Sequence, residues 1–499
     1  MRPHLLSWPS SQYLAVVTLA ASLPFAYGCS DSLFGGGDGE RSCAGSSALD
    51  VIEPEPGGIH GFASEQDLDT YIASIEARQR KETGGGGSHP CSGAAQNSAS
   101  ADNASDDAAG AAPAASEGAS NEEITNNQES GVDEGGIVKN VGSQLVVLRK
   151  GRLFAVDVGE GHAPALTDSI RVARTPALNS SVWYDEMLVK GDLVYVVGYR
   201  YGIPNAAVRG ATEIDTFRLA GGKLTRLKSM FLESNDYYSG HNYASRMVDG
   251  KLLFYMPHYI GRREGKLQYP QVLEANDEGV FTTVGPIFGA LDVKTSLYKP
   301  LYPAFHTVVQ CELPDTGELS CHGRSVIGSW WRETYVSPSA VYLWASSHVY
   351  RFDFASLGVT SHGADGYPLD QFSFKETDKS LLVAVGGPSS AGASGARVLS
   401  LPLTAFDTTG GQTVQSTSLG GVGLEKNRFV GDVLVASLYS LNAKDHTSGP
   451  SELVSFDSAT GTIARSEPGA RVQRIEPLGD RRVLVVRADR PYQATSLEL

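Results

Sequence analysis

Residues that could support catalysis are present in this sequence, but their spacing does not match a known reactive site. The chain has no G-x-S-x-G motif, which excludes the nucleophile elbow of a serine hydrolase. Asp133 and Glu134 are adjacent, so in an extended strand their carboxylates lie on opposite faces. This argues against a paired acid/base site and predicts that both residues form hydrogen bonds at a junction between sheets. No catalytic residue is predicted.

The histidines and aspartates do not show the spacing of metal ligands. The histidines are scattered without the close pairs of a zinc motif, so we interpret them as loop or turn residues. Aspartates follow several strand-like runs, where we expect them to accept hydrogen bonds from turn amides. A D-x-D-x-D calcium loop is absent, and no metal or other cofactor is predicted. The histidines are His241, His258, His306, His322, His348, His362 and His446, and the aspartates are Asp157, Asp215, Asp292, Asp353 and Asp457.

The five cysteines suit an oxidising compartment. Cys311 and Cys321 flank a Pro-Asp-Thr-Gly turn, which predicts a hairpin with a cross-strand disulfide. Two reduced core cysteines are the alternative. Cys43 and Cys91 bracket a helical segment, and a bridge between them is a further hypothesis, with two free thiols as its alternative.

The fifth cysteine, Cys29, ends a segment with the plan of a secretory signal. Residues 1–28 contain Arg2, an apolar run at 13–25 that is too short to cross a bilayer comfortably, and small residues before Cys29. The Ala-Tyr-Gly-Cys ending resembles a bacterial lipobox, which implies that Cys29 is lipidated. An ordinary signal with an incidental thiol is the alternative. Ser30, by resemblance to enterobacterial sorting, favours the outer membrane, so we expect an exported, lipid-anchored protein at the outer membrane or cell surface.

Residues 29–130 have the composition of a tether. They are rich in Gly, Ser, Ala, Asp and Asn, and too few large apolar residues offset the chain entropy, so most of this segment is predicted to be disordered. One helix is expected over about 64–80, because Ser64 can cap it and an apolar stripe follows. The helix either docks on the folded domain or binds a partner. The stripe consists of Leu68, Tyr71, Ile72 and Ile75.

Beyond residue 131 one local pattern occurs seven times. Each occurrence is a polar or glycine-containing turn followed by an aliphatic and aromatic strand, at spacings of 40 to 59 residues apart from one interval of 88. This spacing is typical of four-stranded propeller blades. The long interval, 255–331, is predicted to hold an insertion and not an eighth blade. The seven runs are QLVVL, LVYVV, LLFYM, AVYLW, SLLVAV, VLVASL and RRVLVV.

The last repeat has sequence for only about three strands, which raises the question of ring closure. Either residues 121–137 supply its fourth strand, or the final blade is short.

Several separated blocks resemble one family, the secreted bacterial proteins with a C-terminal β-propeller domain distantly similar to WD repeats. The resemblance begins at QESGVDEGGIVKNVGSQLVVL and continues through ASRMVDGKLLFYM, VIGSWWRETYVSPSAVYLWAS, GYPLDQFSFKETDKSLLVAV and RFVGDVLVASLY. It implies an all-β fold, a seven-bladed β-propeller over 131–499, after a lipoprotein signal at 1–28 and the tether at 29–130. It implies export but no reaction.

A candidate recognition surface surrounds the long insertion. Tyr259, Arg262, Arg263, Trp330 and Trp331 combine aromatic rings with cations, the residue types enriched at binding hot spots. Packing of the tryptophans against the inserted hairpin is the alternative.

The formal net charge of −15, without a block of consecutive lysines or arginines, argues against nucleic acid as a partner. The leading hypothesis is a non-enzymatic binding or scaffolding module, joined to the membrane by its lipid and recognising an envelope protein or glycan. An extracytoplasmic hydrolase or lyase acting at a channel mouth is the alternative.

Overall fold

The structure is a computed structural model of the chain, and part of the sequence is described. Cys29, Cys43 and Cys91 lie outside the described residues, as do His241, His446 and most of the predicted tether, so the expectations about them stay predictions. In the part that is described, no helix is both long and apolar enough to cross a membrane. The described residues are 55, 57–82, 127–159, 161, 163–174, 178, 182–203, 210–235, 245–276, 278–356, 358–387, 395–411, 414–421, 423–439, 452–466, 471–477, 482–488 and 495–498.

Almost all regular structure in these residues is β-strand, with a single α-helix. In chain order the elements are α1 (Glu65–Glu82), β1 (Val132–Glu134), β2 (Val138–Val141), β3 (Gln144–Arg149), β4 (Arg152–Asp157), β5 (Ala165–Arg171), β6 (Val182–Lys190), β7 (Leu193–Tyr201), β8 (Gly210–Ala220), β9 (Lys223–Glu233), β10 (Ser245–Val248), β11 (Lys251–Tyr259), β12 (Arg262–Arg263), β13 (Lys266–Leu267), β14 (Gln271–Ala275), β15 (Phe281–Pro286), β16 (Val293–Lys294), β17 (Pro303–Glu312), β18 (Ser320–Ser329), β19 (Arg332–Val336), β20 (Ala340–Ala345), β21 (His348–Asp353), β22 (Val359–Gly363), β23 (Phe374–Glu376), β24 (Ser380–Val385), β25 (Ala396–Pro402), β26 (Gln415–Gly420), β27 (Gly423–Val430), β28 (Val433–Tyr439), β29 (Glu452–Asp457), β30 (Ile463–Ser466), β31 (Arg471–Pro477), β32 (Val483–Ala488) and β33 (Thr495–Glu498).

The described strands form seven sheets of three to six strands and one small hairpin, β12–β13. In sequence order, sheet 1 is β2–β5, sheet 2 is built on β6–β9, and sheet 3 on β10, β11, β17 and β18. Sheets 4, 5 and 6 are β19–β22, β23–β26 and β27–β30, and sheet 7 is β31–β33. Each of the seven repeated runs is the second strand of one sheet, which confirms the repeat assignment. Sheet 7 has three described strands, as its short sequence predicted.

The hairpin of β3 and β4 shows how the local sequence sets this pattern. Gln144 pairs with Asp157 and Arg149 with Arg152. Lys150 and Gly151 both have positive φ, 48° and 67°, as a two-residue hairpin turn between twisted strands requires. Alternate residues Val146 and Leu148 are buried, and they pack in a cluster that also contains residues of sheet 2. The core therefore lies between neighbouring sheets.

The long interval divides between sheets 2 and 3. β14 and β15 extend sheet 2 beyond β9, and β16 adds a parallel outer strand to sheet 3 beside β18. β17 and β18 complete sheet 3 and carry the disulfide between Cys311 and Cys321, as predicted. The interval thus contains two ordinary strands of sheet 3 together with an insertion over about 260–302.

Of the two alternatives for the last sheet, the pairing of residues 132–134 does not support a fourth strand from residues 121–137. β1 pairs antiparallel with β10, Val132 opposite Val248 and Glu134 opposite Arg246, and so belongs to sheet 3. Gly136 bridges to Met187 of sheet 2. The sequence could not assign this strand to a sheet, because a three-residue strand with two carboxylates can pair with any open strand edge. In the structure its carboxylates lie beside the buried cations Lys139 and Arg246.

The predicted helix is present and docked. Ser64 Oγ accepts from the Asp67 amide at 3.2 Å, and Asp67 Oδ2 accepts from the Ala63 amide at 3.0 Å. Leu68 and Ile72 are fully buried in the core cluster of sheets 2 and 3. Burial of this apolar stripe explains why a helix that is marginal in isolation forms here.

Candidate binding surface

The sheets present one common edge at which first strands begin and second strands end. Within each antiparallel sheet, the start of the first strand faces the end of the second, as Val182 of β6 faces Arg200 of β7 and Gly423 of β27 faces Tyr439 of β28. We call this the upper edge. Among the described residues, all six exposed tyrosines and tryptophans lie along it. They are Trp183, Tyr201, Tyr259, Trp331, Tyr367 and Tyr439.

Four aromatic side chains near sheets 3, 4 and 5 form two contacting pairs, and we call Tyr259, Trp330, Trp331 and Tyr367 the aromatic platform. The Tyr259 and Trp330 rings stack with centroids 4.0 Å apart and planes at 8°. Trp331 meets Tyr367 edge to face at 5.8 Å. Tyr259, Trp331 and Tyr367 are 55%, 43% and 44% exposed. The platform therefore consists of two pairs of aromatic rings, each with at least one ring exposed to solvent.

A layered stack beneath Trp330 fixes its ring. The Arg332 guanidinium lies 4.8 Å from the Trp330 ring centre and 5.8 Å from that of Tyr255. Tyr255 stacks on His306, and its hydroxyl lies 2.6 Å from His306 Nδ1. Burial, helped by the Arg332 charge, lowers the pKa of His306 to about 3, so this imidazole is neutral near pH 7. The stack connects the exposed Tyr259 ring to the core.

Tyr367 is held from below by backbone. It forms an isolated bridge with Gly386, and its ring lies against Gly387. A Cβ added at Gly387 would stand 2.9 Å from the Tyr367 ring, and Gly387 has a φ of 85°. Glycine is therefore needed there both for the backbone conformation and for the close approach of the ring.

The structure divides the predicted surface residues into two groups. Tyr259 and Trp331 are exposed, and Trp330 stacks on Tyr259, not on the hairpin that carries the disulfide. Arg262 instead pairs with Asp69 at 2.5 Å and Glu76 at 2.9 Å, both on α1. It thus contributes to helix docking. Arg263 is exposed on β12.

Asp133 and Glu134 lie in a loop that folds back on itself between the first strands of several sheets, and we call residues 127–139 the central loop. The Glu134 amide donates to Asn127 Oδ1 at 3.1 Å, and Glu134 Oε1 accepts from the Gln128 amide at 3.1 Å. Gln128 Nε2 reaches the Gln371 carbonyl near sheet 5 at 2.9 Å. The loop therefore connects sheets that are far apart in sequence.

Charged side chains of the central loop are paired. Lys139, 3% exposed, lies 2.6 Å from Asp133. Burial raises the pKa of Asp133, and the Lys139 ammonium opposes this by favouring the carboxylate. Glu134 faces Arg246 at 3.7 Å. The adjacent carboxylates thus have separate cationic partners, as expected for side chains on opposite faces of a strand.

Glu129 anchors the turn of the central loop. Its carboxylate accepts from the Tyr335 hydroxyl at 2.8 Å and pairs with Lys375 at 2.6 Å, which ties the loop to sheets 4 and 5. Gly135 is required for close approach, because a Cβ there would stand 2.6 Å from Glu186 Oε2. The sequence marked Asp133 and Glu134 but gave no signal for Glu129 or its partners, since those contacts span more than 200 residues.

The histidine interpretation needs correction. Four histidines are buried on strands, where their rings hydrogen-bond or stack with neighbouring groups: His258, His306, His348 and His362. His322 is exposed on β18. His258 Nε2, for example, contacts the Glu233 carbonyl at 2.9 Å. Within the described part of the chain, no three His, Cys, Asp or Glu side chains are grouped so as to hold a metal ion.

The aspartates follow the prediction with one exception. Asp157, Asp353 and Asp457 accept hydrogen bonds from amides two or three residues further on, and Asp292 accepts from the Gly289 amide. Asp215 instead lies in the middle of β8. It is completely buried, pairs with Arg226 at 2.7 Å, and has a pKa raised by burial and by Glu213.

Successive antiparallel sheets, most of four strands, that pack face to face along the chain are typical of a β-propeller. The chain belongs to the Beta propeller domain family, whose model matches residues 123–423, more than half of its length. No curated protein matches the sequence.

Solved structures similar to this chain are propeller-like but distant, and their low TM-scores carry no argument about function. They include the WD40 domain of SCAP from fission yeast (11% identity, TM-score 0.24, covering 69% of this chain and 79% of that one). The extracellular domain of a putative one-component system from B. thetaiotaomicron is 11% identical (TM-score 0.23, 70% and 57% covered). A luciferin-regenerating enzyme is 12% identical (TM-score 0.21, 68% and 91% covered).

Proposed function

We propose that this β-propeller is an exported, lipid-anchored module of the bacterial envelope that binds or scaffolds other envelope components. The observation that carries the proposal is the gathering of all six exposed aromatic side chains of the described residues on one edge of the sheets. Each large aromatic side chain left in water forgoes on the order of 1.5–3 kcal/mol of burial. Concentration on one edge is typical of recognition surfaces, whereas incidental exposure would scatter the rings.

The central loop supports binding over catalysis. It buries Lys139 and Glu129 in ion pairs among the first strands, where a channel-mouth enzyme would need reachable acid/base groups. Burial and nearby Asp370 raise the pKa of Glu333 to about 8, a value suited to general acid chemistry. Its side chain is only 2% exposed, so a substrate would not reach it. No observation favours the hydrolase or lyase.

The anchor is tested with Cys29→Ala in the full chain. We expect the parent protein to enter the detergent phase on phase separation and the variant to stay in the aqueous phase. Equal partitioning of the two proteins would refute lipidation at Cys29.

The binding role is tested by sedimentation with isolated bacterial envelopes. The full chain carrying Cys29→Ala should sediment with the envelopes, and adding Tyr259→Ala, Trp331→Ala and Tyr367→Ala should release it. Leu166→Ala, which removes an exposed apolar side chain of β5 away from the upper edge, is the control and should not change sedimentation. Equal sedimentation of the platform variant and the control would contradict the proposal.

A further inference from the structure

The aromatic platform presents ring faces, and each ring is backed by a fixed partner. Tyr259 has Trp330 and the Arg332 guanidinium behind it, and Tyr367 lies on the backbone at Gly387. The side chains are thus ordered before any ligand arrives, which lowers the entropic cost of binding. Rigid aromatic faces of this kind suit a ligand that offers a face of its own for stacking.

The exposed apolar side chains at the platform are aromatic and not aliphatic. Most exposed large aliphatic side chains of the described residues lie elsewhere: Leu166 on β5, Val284 on β15, Leu291 in a 3₁₀ turn, and Val280 and Val414 in connections. Ile137, just before β2, is the exception at the upper edge. The buried core of a protein interface would mix aliphatic with aromatic residues. Aromatic faces with few aliphatic neighbours favour a ligand that stacks directly on the face of an aromatic ring.

The carbon-bound hydrogens of a pyranose ring match this surface. An aromatic face is electronegative, and hydrogens on carbons bonded to oxygen are polarised positive, so the two attract beyond simple burial. The sugar hydroxyls point outward from the ring and stay hydrated or accept from tyrosine hydroxyl and indole N–H groups. The two ring pairs, Tyr259 with Trp330 and Trp331 with Tyr367, are joined through the adjacent residues Trp330 and Trp331, so they offer separate stacking positions for successive sugars.

We propose that the aromatic platform binds an oligosaccharide, with pyranose rings stacked on Tyr259, Trp331 and Tyr367. This inference rests on the proposed binding function and specifies its ligand class. Trp330 and Arg332 hold the Tyr259 ring in place and are not assigned a contact with the sugar.

The test is affinity electrophoresis of the full chain carrying Cys29→Ala through gels containing soluble polysaccharides. The probes are a β-1,4-glucan, a β-1,3-glucan, an α-1,4-glucan and a β-1,4-linked N-acetylglucosamine polymer. At least one probe should retard the protein and change its tryptophan fluorescence. Trp331→Ala and Tyr367→Ala should each weaken retardation about tenfold or more. Trp331→Phe should restore most of it, and Leu166→Ala, on β5 away from the upper edge, should leave it unchanged.

Three results would overturn the glycan inference: retardation by none of the probes, retardation of the platform variants equal to that of the parent, or loss with Leu166→Ala alone. A parallel titration with proline-rich peptides separates the ligand classes, because such peptides also dock on aromatic grooves. Binding of peptide alone, lost with Trp331→Ala, would reject the glycan and retain the binding function. If the protein sediments with envelopes but binds no polysaccharide, the glycan is rejected and the binding function is retained. If it neither sediments with envelopes nor binds polysaccharide, the binding function is rejected as well. Thermal melting of each variant verifies that it is folded.

Discussion

The central loop and the aromatic platform depart from the usual distribution of side chains in opposite directions. The central loop buries charges, with Lys139 at 2% exposure, whereas the platform leaves Tyr259, Trp331 and Tyr367 in water. Burying an ion is costly unless a partner compensates it, and the loop provides partners from several sheets. Exposing an aromatic ring is also unfavourable, yet these three rings stay partly open to solvent. The comparison separates polar residues that organise the fold from apolar residues that are available for binding.

The largest expected effect is on the loop. Lys139→Met should lower the free energy of unfolding by about 3–5 kcal/mol, because it leaves Asp133 partly buried without its cation. Chemical denaturation measures this. Lys251→Met is the control, since the Lys251–Glu312 pair on the surface of sheet 3 is 40% and 59% exposed and should contribute less than about 1 kcal/mol. Similar losses for the two variants would remove the distinction between the buried and exposed pairs.

A second test uses pH at Glu333, close to Arg332. Its pKa of about 8 lies above the value of 4.5 for an ordinary glutamate, so the folded protein holds this proton more tightly than the unfolded chain does. Stability from Glu333 is therefore full below about pH 4.5 and is lost as pH rises through about 8. Relative to Glu333→Gln, the parent should lose on the order of 2 kcal/mol between pH 5 and 7. Parallel stability profiles of the two proteins would show that Glu333 ionises normally.

Arg262 was predicted to lie on the recognition surface, so a variant at this position tests whether the residue stabilises the fold or recognises a ligand. Arg262→Ala should cost about 1 kcal/mol, because its pairs with Asp69 and Glu76 are partly exposed. Limited proteolysis should then cut within α1 sooner. Arg263→Ala, one residue away and exposed, should leave the cleavage rate unchanged. Loss of envelope sedimentation with α1 still protected would instead make Arg262 a recognition residue.

The smallest effect on stability is expected at the platform. Trp331→Ala and Tyr367→Ala should each change the free energy of unfolding by no more than about 1 kcal/mol, since these residues are 43% and 44% exposed in the folded protein. Thermal and chemical denaturation measure this. A loss comparable to that of Lys139→Met would place these rings in the structural class and weaken the binding proposal.

Much of the fold could be predicted from local pattern. Each alternating run after a polar turn became a second strand, and the capped stripe of Leu68 and Ile72 became α1. The candidate surface was only partly predictable. Tyr259 and the two tryptophans carried a compositional signal, but Tyr367 lies 36 residues beyond Trp331 and meets it only because sheets 4 and 5 are neighbours. Arg262 looked like a recognition residue because its acidic partners lie on a helix almost 200 residues earlier.

The sequence by itself determined the strands, their turns, the capped helix and the cross-strand cysteine pair, because each depends on residues close together in the chain. The tertiary structure decided where β1 pairs, which charges are buried with which partners, and which aromatic rings meet. Those outcomes depend on contacts such as Glu129 with Lys375, whose sequence separation is far too large for any local pattern to encode. The ion pairs of the central loop and the exposed ring pairs of the platform therefore form only when the sheets pack together.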